Sequence, residues 1–189
     1  MGLGRLDRLG KEFPIQVDLR AYFLHPEIPP EGQLRRQRAF EPEGEVPRWQ
    51  AFADEERLTM RRAALTPYTR LAQAATEYAK RHGKADEFHH AAYRALWEEG
   101  ANLGDLNVLE GLAAGVGLDW ADLRPRLEER EFDAELEAQH DEAMKFGIQG
   151  VPAFIIDDLF WFSGVQPIEL FRRAAKRALE ARQGEDASG

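Results

Sequence analysis

The stretch Gly147-Ile148-Gln149-Gly150-Val151-Pro152-Ala153-Phe154-Ile155-Ile156-Asp157-Asp158, with Leu159-Phe160-Trp161-Phe162-Ser163-Gly164 behind it, limits what this chain can fold into more than any other. Ala153 to Ile156 is a short apolar run rich in β-branched and aromatic residues. Asp157-Asp158 is a turn pair, and a second apolar run follows, so the pattern predicts a β-hairpin. Pro152 opens the first strand and has no amide hydrogen, which confines it to a strand start or an edge. Gly147 and Gly150 on either side of the loop allow positive φ and the close approach of another group. An X-Pro bond keeps a trans preference of only about 0.5–1 kcal/mol, so these residues fit a cis Val151–Pro152 peptide and an ordinary trans loop alike.

A chain of 189 residues is long enough for one domain with a real core, or for one domain carrying a large insertion. Its net charge of −9 opposes phosphate backbones and anionic bilayer surfaces, which argues against nucleic acid and membranes as partners. The apolar runs are too short to span a bilayer. Met1 to Gly10 has arginines and an aspartate but no apolar segment of the signal-peptide kind, so a cytoplasmic location is expected. The chain has no cysteine, which removes disulfides, thiolate metal sites and thiol redox chemistry of its own together.

In chain order, Leu3, Leu6, Leu9 and Phe13 recur at helical spacing, and the helix over 2–12 is broken by Pro14. Ile15, Val17, Leu19, Ala21 and Phe23 then alternate with polar or aromatic neighbours, the pattern of a half-buried strand over 15–24. The run His25-Pro26-Glu27-Ile28-Pro29-Pro30-Glu31-Gly32 is too proline-rich for regular structure, and residues 33–48 read as an exposed loop. Helices are expected over 55–64, 69–82, 85–99, 106–114, from Asp119, and over 131–146, with Asp105 and Asp119 as N-caps and Gly83 and Gly100 as stops. A last helix starts at Pro167, and the tail 183–189 is expected to be disordered.

Other candidate chemistry is weak. His89 and His90 with Glu87 invite a metal reading, but adjacent helical positions point about 100° apart and cannot share an ion. Glu135, Glu137, His140, Asp141 and Glu142 lack the His-Glu-x-x-His spacing and read as a solvated face. Gly2-Leu3-Gly4 lacks the third glycine of a dinucleotide fingerprint. Trp161 reads as core rather than as a pocket wall, and His25 as a capping or surface residue. No metal, cofactor or catalytic residue is assigned.

The Gly150-Val151-Pro152 turn, the Phe154-Ile155-Ile156-Asp157 strand and the Ser163-Gly164-Val165-Gln166-Pro167 exit resemble the DsbA-like branch of the thioredoxin superfamily, FrnE-type proteins above all. The Pro29-Pro30-Glu31-Gly32 segment fits the same pattern, and the resemblance runs over nearly the whole chain, most specifically over 147–171. It implies an α/β thioredoxin-like fold: residues 1–48 and 147–182 form the thioredoxin-like domain and 49–146 a large all-helical insertion domain. It also implies a cis Val-Pro bond facing a Cys-x-x-Cys at the start of the first helix. The family motif reads Cys-Pro-Trp-Cys-Tyr-x-Gly-x-x-x-Leu. Placing its Gly and Leu on Gly2 and Leu6 puts the second cysteine just upstream of Met1, so the dithiol and the first, central strand are expected to be missing. That strand is then supplied by upstream residues or by a partner chain in a homodimer, or its two neighbours pair directly.

The resemblance therefore implies a thiol–disulfide oxidoreductase-like protein that is redox-inactive as this cysteine-free chain. Its ligand-contacting positions are Gly150, Val151 and Pro152, with Ser163 and Gly164 beside them, and the ligand is a peptide, a thiol or a small molecule. The alternative is a non-redox, glutathione- or ligand-binding relative resembling 2-hydroxychromene-2-carboxylate isomerases and kappa-class glutathione transferases.

Overall fold

The computed structural model describes residues 2–35, 48–55, 58–61 and 63–186. Packing divides the chain into two compact units, one made of Met1–Asp18, Arg48–Leu58 and Met144–Gly189, the other of Leu19–Pro47 and Thr59–Ala143. Residues 19–35 thus belong with the helical block, and the helix that begins at Arg48 belongs with the hairpin.

The first unit is built on the hairpin. Strands β3 (Ala153–Ile156) and β4 (Phe160–Ser163) pair antiparallel, Ala153 opposite Ser163 and Ile156 opposite Phe160. Asp157 and Asp158 take φ of 52° and 56°, the left-handed backbone that a tight hairpin turn asks for and that aspartate tolerates, and Leu159 N–H donates to Ile156 O at 3.1 Å. Strand alternation gives the hairpin two faces. On one, Phe154 and Phe162 lie opposite each other and pack on Phe171 of α8 (Ile168–Asp186), which stands edge-on to both at ring-centroid distances of 4.8 and 4.9 Å. On the other, Ile155 and Trp161 are opposed and exposed, at 40% and 52%.

Helix α1 (Gly2–Gly10) brings Leu9 to the same core, where it is buried with Ile168, Phe171 and Ala175, and Leu6, Phe13 and Ile15 pack around them. Arg5 lies four residues before Leu9, on the same face, and is 1% exposed. Its guanidinium forks onto Glu55 at the end of α2 (Arg48–Glu55), with Nη1 to Oε1 at 2.8 Å and Nη2 to Oε2 at 2.6 Å. The far end of α1 is tied to α8 by Arg172, which donates through Nε and Nη2 to Glu12 at 2.7 and 2.6 Å. Arg182 of α8 pairs with Asp157 in the hairpin turn.

In the second unit a two-residue ladder joins β1 (Gln33–Leu34) to β2 (Leu65–Thr66), ahead of α3 (Arg70–Arg81), α4 (Ala85–Arg94), a π-helical turn (Ala95–Glu99), α5 (Leu106–Gly115), α6 (Trp120–Glu128) and α7 (Asp133–Lys145). Asp105 caps α5 by accepting from Asn107 N–H, and Asp119 caps α6 by accepting from Ala121 and Asp122 N–H. Gly83 and Gly100, at φ of 65° and 71°, follow α3 and the π-helical turn. The core gathers Tyr78, Phe88, Leu109, Leu123, Phe132 and Leu136. Tyr78 donates its phenol to Asp122 Oδ2 at 2.9 Å, and burial with that bond pushes its pKa up to about 12.

Four expectations are corrected. Residues 15–24 are extended but form no ladder: Val17 is 44% exposed, and side chains take the polar groups that a neighbouring strand would have taken. Gln139 Oε1 accepts from Ala21 N–H at 2.6 Å, His140 Nδ1 accepts from Phe23 N–H at 3.3 Å, and Gln73 Nε2 donates to Tyr22 O at 3.2 Å. Of the helix expected over 55–64, residues 58–61, 63 and 64 are not helical, and 56, 57 and 62 lie outside the described residues. Leu58 N–H reaches back to Ala53 O and Arg61 N–H goes to Trp97 O, so the chain leaves helical geometry there. The expected tail is helical through Asp186, and residues 187–189 lie outside the described ones. Trp161 is on the surface, because the register assigns it to the hairpin face opposite Phe171.

The two hairpin faces should respond differently to truncation. Phe171→Ala empties a fully buried site and is expected to lower the unfolding free energy by about 3–5 kcal/mol. Ile155→Ala, on the open face, should stay within about 0.5 kcal/mol. Denaturant unfolding of the two variants measures both.

Candidate ligand-binding site

Helix α7 ends at Lys145, and Gly147, with φ of 73°, turns the chain out of it while its N–H donates to Met144 O at 3.0 Å. Gly150 does not use positive φ. A Cβ added there would meet nothing within 4 Å, so neither backbone conformation nor space requires glycine at this position. Val151 is 51% exposed, and the Val151–Pro152 peptide is cis. Pro152 O accepts from Gly164 N–H at 2.7 Å, extending the ladder by one pair that makes a single bond, because proline has no N–H to return to Gly164 O. Ser163 lies opposite Ala153, its carbonyl accepts from Gln166 Nε2 at 2.9 Å, and Gly164 takes φ of 77° to leave the strand. Gly150, Val151, Pro152, Ser163 and Gly164 are therefore gathered at one end of the hairpin.

The start of α1 lies against the same loop. A Cβ added to Gly2 would sit 3.1 Å from Pro152 Cβ and 3.1 Å from Phe154 Cζ, so the first turn packs tightly on the loop and a larger residue would require its neighbours to give by a few tenths of an ångström. Among the described residues, no hydrogen bond occupies the backbone N–H or C=O of Gly150 or Val151. Backbone donors and acceptors left open on the loop are suited to an extended ligand. The chain itself brings no thiol to that place.

One turn further along α1, the fork from Arg5 holds the Glu55 carboxyl below its ordinary value. The hydrogen bond from Arg5 leads, opposed by desolvation, and the charges of Arg5 and Arg8 add to it. Sequence reasoning missed this pair, because Glu55 was read as a helix start. The available signal was Arg5 itself, spaced by four from Leu9 on the buried stripe.

The other candidates do not converge on the loop. His89 stacks on Tyr93 at 4.7 Å, while His90 Nδ1 lies 2.9 Å from Asp86 O, so the two imidazoles serve different neighbours. Burial, then the nearby His90 and Lys80, pulls the His89 pKa down to about 4. No group of three or more metal-ligating side chains occurs among the described residues. The acidic face of α7 is solvated, as expected, and its carboxylates also form ion pairs at the surface: Glu135 meets Arg81, Glu137 meets Arg70 and Glu142 meets Arg20. His25 is exposed beside Glu27.

A model of the DsbA-like thioredoxin domain matches residues 1–176. The chain belongs to the DsbA-like thioredoxin family. A probable DsbA oxidoreductase of Streptomyces coelicolor, SCO1869, has a crystal structure that superposes with a TM-score of 0.81 at 26% identity, covering 95% of this chain and 83% of that one. A 2-hydroxychromene-2-carboxylate isomerase structure shares the fold at a TM-score of 0.59 and 18% identity, covering 74% of this chain and 67% of that one. In sequence, the uncharacterized protein YwbO of Bacillus subtilis is 37% identical over 93 residues, 49% of this chain and 46% of that protein. The 2-hydroxychromene-2-carboxylate isomerase of Sphingobium xenophagum is 33% identical over 85 residues, 44% of each. The chain thus spans less than half the length of these two relatives. No helix among the described residues of this DsbA-like chain is long and apolar enough to cross a membrane.

The sign of the Glu55 effect sets a pH dependence. The unfolded chain takes up a proton near the ordinary value of 4.5 and the folded chain only at lower pH, so the contribution is complete above 4.5 and is lost as pH falls through the folded value. Glu55→Gln should flatten the acid limb of unfolding free energy against pH while leaving part of it, since Glu12 and Asp122 are lowered in the same sense. Denaturant titrations at stepped pH read this directly.

Proposed function

We propose that this DsbA-like chain binds an extended peptide, a thiol compound or another small ligand at the Gly150–Pro152 loop, with Ser163 and Gly164 at the edge of the site, and carries out no thiol–disulfide exchange of its own. The supporting observation is the seating of Gly2, at the start of α1, against Pro152 beside the open backbone of Gly150 and Val151. In thiol–disulfide exchange the attacking species is a thiolate, and a chain without cysteine has none to offer. What remains is the recognition half of the chemistry. The loop amides and carbonyls pair with an extended backbone. A cytoplasmic location goes with this reading.

A second reading, a glutathione- or small-molecule-binding protein akin to 2-hydroxychromene-2-carboxylate isomerase, is favoured by the 33% identity to the Sphingobium protein. Glutathione titration followed by tryptophan fluorescence separates the two. The first reading expects no saturable change, whereas saturation below about 1 mM establishes the second. Insulin reduction by dithiothreitol should proceed at the uncatalysed rate with the chain present, and any acceleration overturns the first reading.

A further inference from the structure

We propose that the outer edge of β4 is a strand-docking surface, and that its occupant is an extended polypeptide segment with an arginine aligned on Trp161. The ladder register decides which backbone groups are open. Gly164 N–H donates to Pro152 O, so the polar groups of Phe162 and Phe160 likewise face their partners Phe154 and Ile156 on β3. Those of Trp161 and Ser163 then point away from β3. Ser163 O does so visibly, since it accepts from Gln166 Nε2 and not from a strand. Among the described residues β4 has no sheet neighbour but β3, and no hydrogen bond occupies Trp161 N–H, Trp161 O or Ser163 N–H. Two donors and an acceptor therefore lie along this edge at the spacing of an incoming strand. Sheet edges that stay free are guarded by lysine, proline or a bulge, and Phe160-Trp161-Phe162-Ser163, in continuous register with β3, has none of them.

Trp161 selects the occupant. Its side chain is 52% exposed on the hairpin face turned away from Phe171. In an added strand, the residue paired with Trp161 lays its side chain on that same face, beside the indole. A guanidinium placed there stacks on the ring while its backbone completes the two bonds that Trp161 leaves open. Charge favours the same residue. The chain carries −9 in total, and in the turn that leads into β4 Asp157 is paired with Arg182, while Asp158 is exposed and has no ion pair among the described residues. A basic segment is attracted to this end, and an acidic one repelled. A second copy of the chain is the poorer occupant: it brings another −9 and the same four-residue edge, against the roughly 800 Å² per partner that a stable pair buries. The edge shares Ser163 with the ligand site but uses neither Gly150, Val151 nor Pro152, so a glutathione titration reads the loop and an arginine peptide reads the edge.

Fluorescence polarisation tests it with a labelled peptide of alternating valine and threonine carrying a central arginine, a counterpart with glutamate in its place, and a third in which the arginine amide is N-methylated. The arginine peptide should bind saturably, the glutamate peptide should bind more weakly at low salt, and N-methylation should cost about tenfold or more. Trp161→Ser should weaken the arginine peptide about fivefold or more without moving the unfolding midpoint. Absence of saturation up to about 1 mM overturns the proposal, as does equal binding by the glutamate peptide, the N-methylated peptide or the Trp161→Ser chain. A dimer in sedimentation equilibrium that Trp161→Lys dissolves also overturns it, because the edge is then filled by a second copy.

Discussion

Phe171 holds the hairpin unit together. Its ring is fully buried and stands edge-on to Phe154 and Phe162, which are themselves cross-strand neighbours with centroids 5.4 Å apart. Burying such a ring is worth about 1.5–3 kcal/mol. Each well-placed aromatic pair adds about 0.5–1.5 kcal/mol beyond that. A lone two-stranded hairpin is marginal in water, so β3 and β4 persist because one of their faces is stacked on α8. That contact fixes where Pro152 stands, and through Pro152 and Phe154 it fixes where α1 begins.

A second constraint is the need to satisfy the backbone without a large sheet. Residues 15–24 have the alternation of a strand but no strand beside them among the described residues. Their amides are met instead by Gln139 and His140 on α7, and the Tyr22 carbonyl by Gln73 on α3. Gln139 is nearly inaccessible in that role, and it also hydrogen-bonds the buried Glu77 carboxyl, whose pKa burial raises against the pull of Lys80 at 2.9 Å. Buried polar groups are kept only where partners are found, and here helix side chains take the place of a ladder.

At the candidate site the same economy leaves groups unspent. Gly150 and Val151 keep their backbone polar groups open, and Gly2 brings the start of α1 to Pro152. A DsbA-like chain of this kind leaves backbone groups open at the loop, in a sequence that offers no thiolate.

Much of this was legible in the sequence wherever a local rule operates over a few residues. Asp157-Asp158 between two apolar runs could only turn, Asp105 and Asp119 could cap the helices that follow them, and Gly83 and Gly100 mark stops because a left-handed φ is cheap for glycine alone. The absence of cysteine decided the thiol chemistry. What the sequence did not decide depends on partners distant along the chain. Alternation at 15–24 becomes a strand only if another strand lies beside it. Arg5 is buried because Glu55, fifty residues away, neutralises it, and Trp161 is exposed because register gave the covered face to Phe154 and Phe162. Local conformation is set by φ, caps and turn chemistry that each residue carries with it, whereas burial and pairing are settled by whichever distant group arrives first to exclude water.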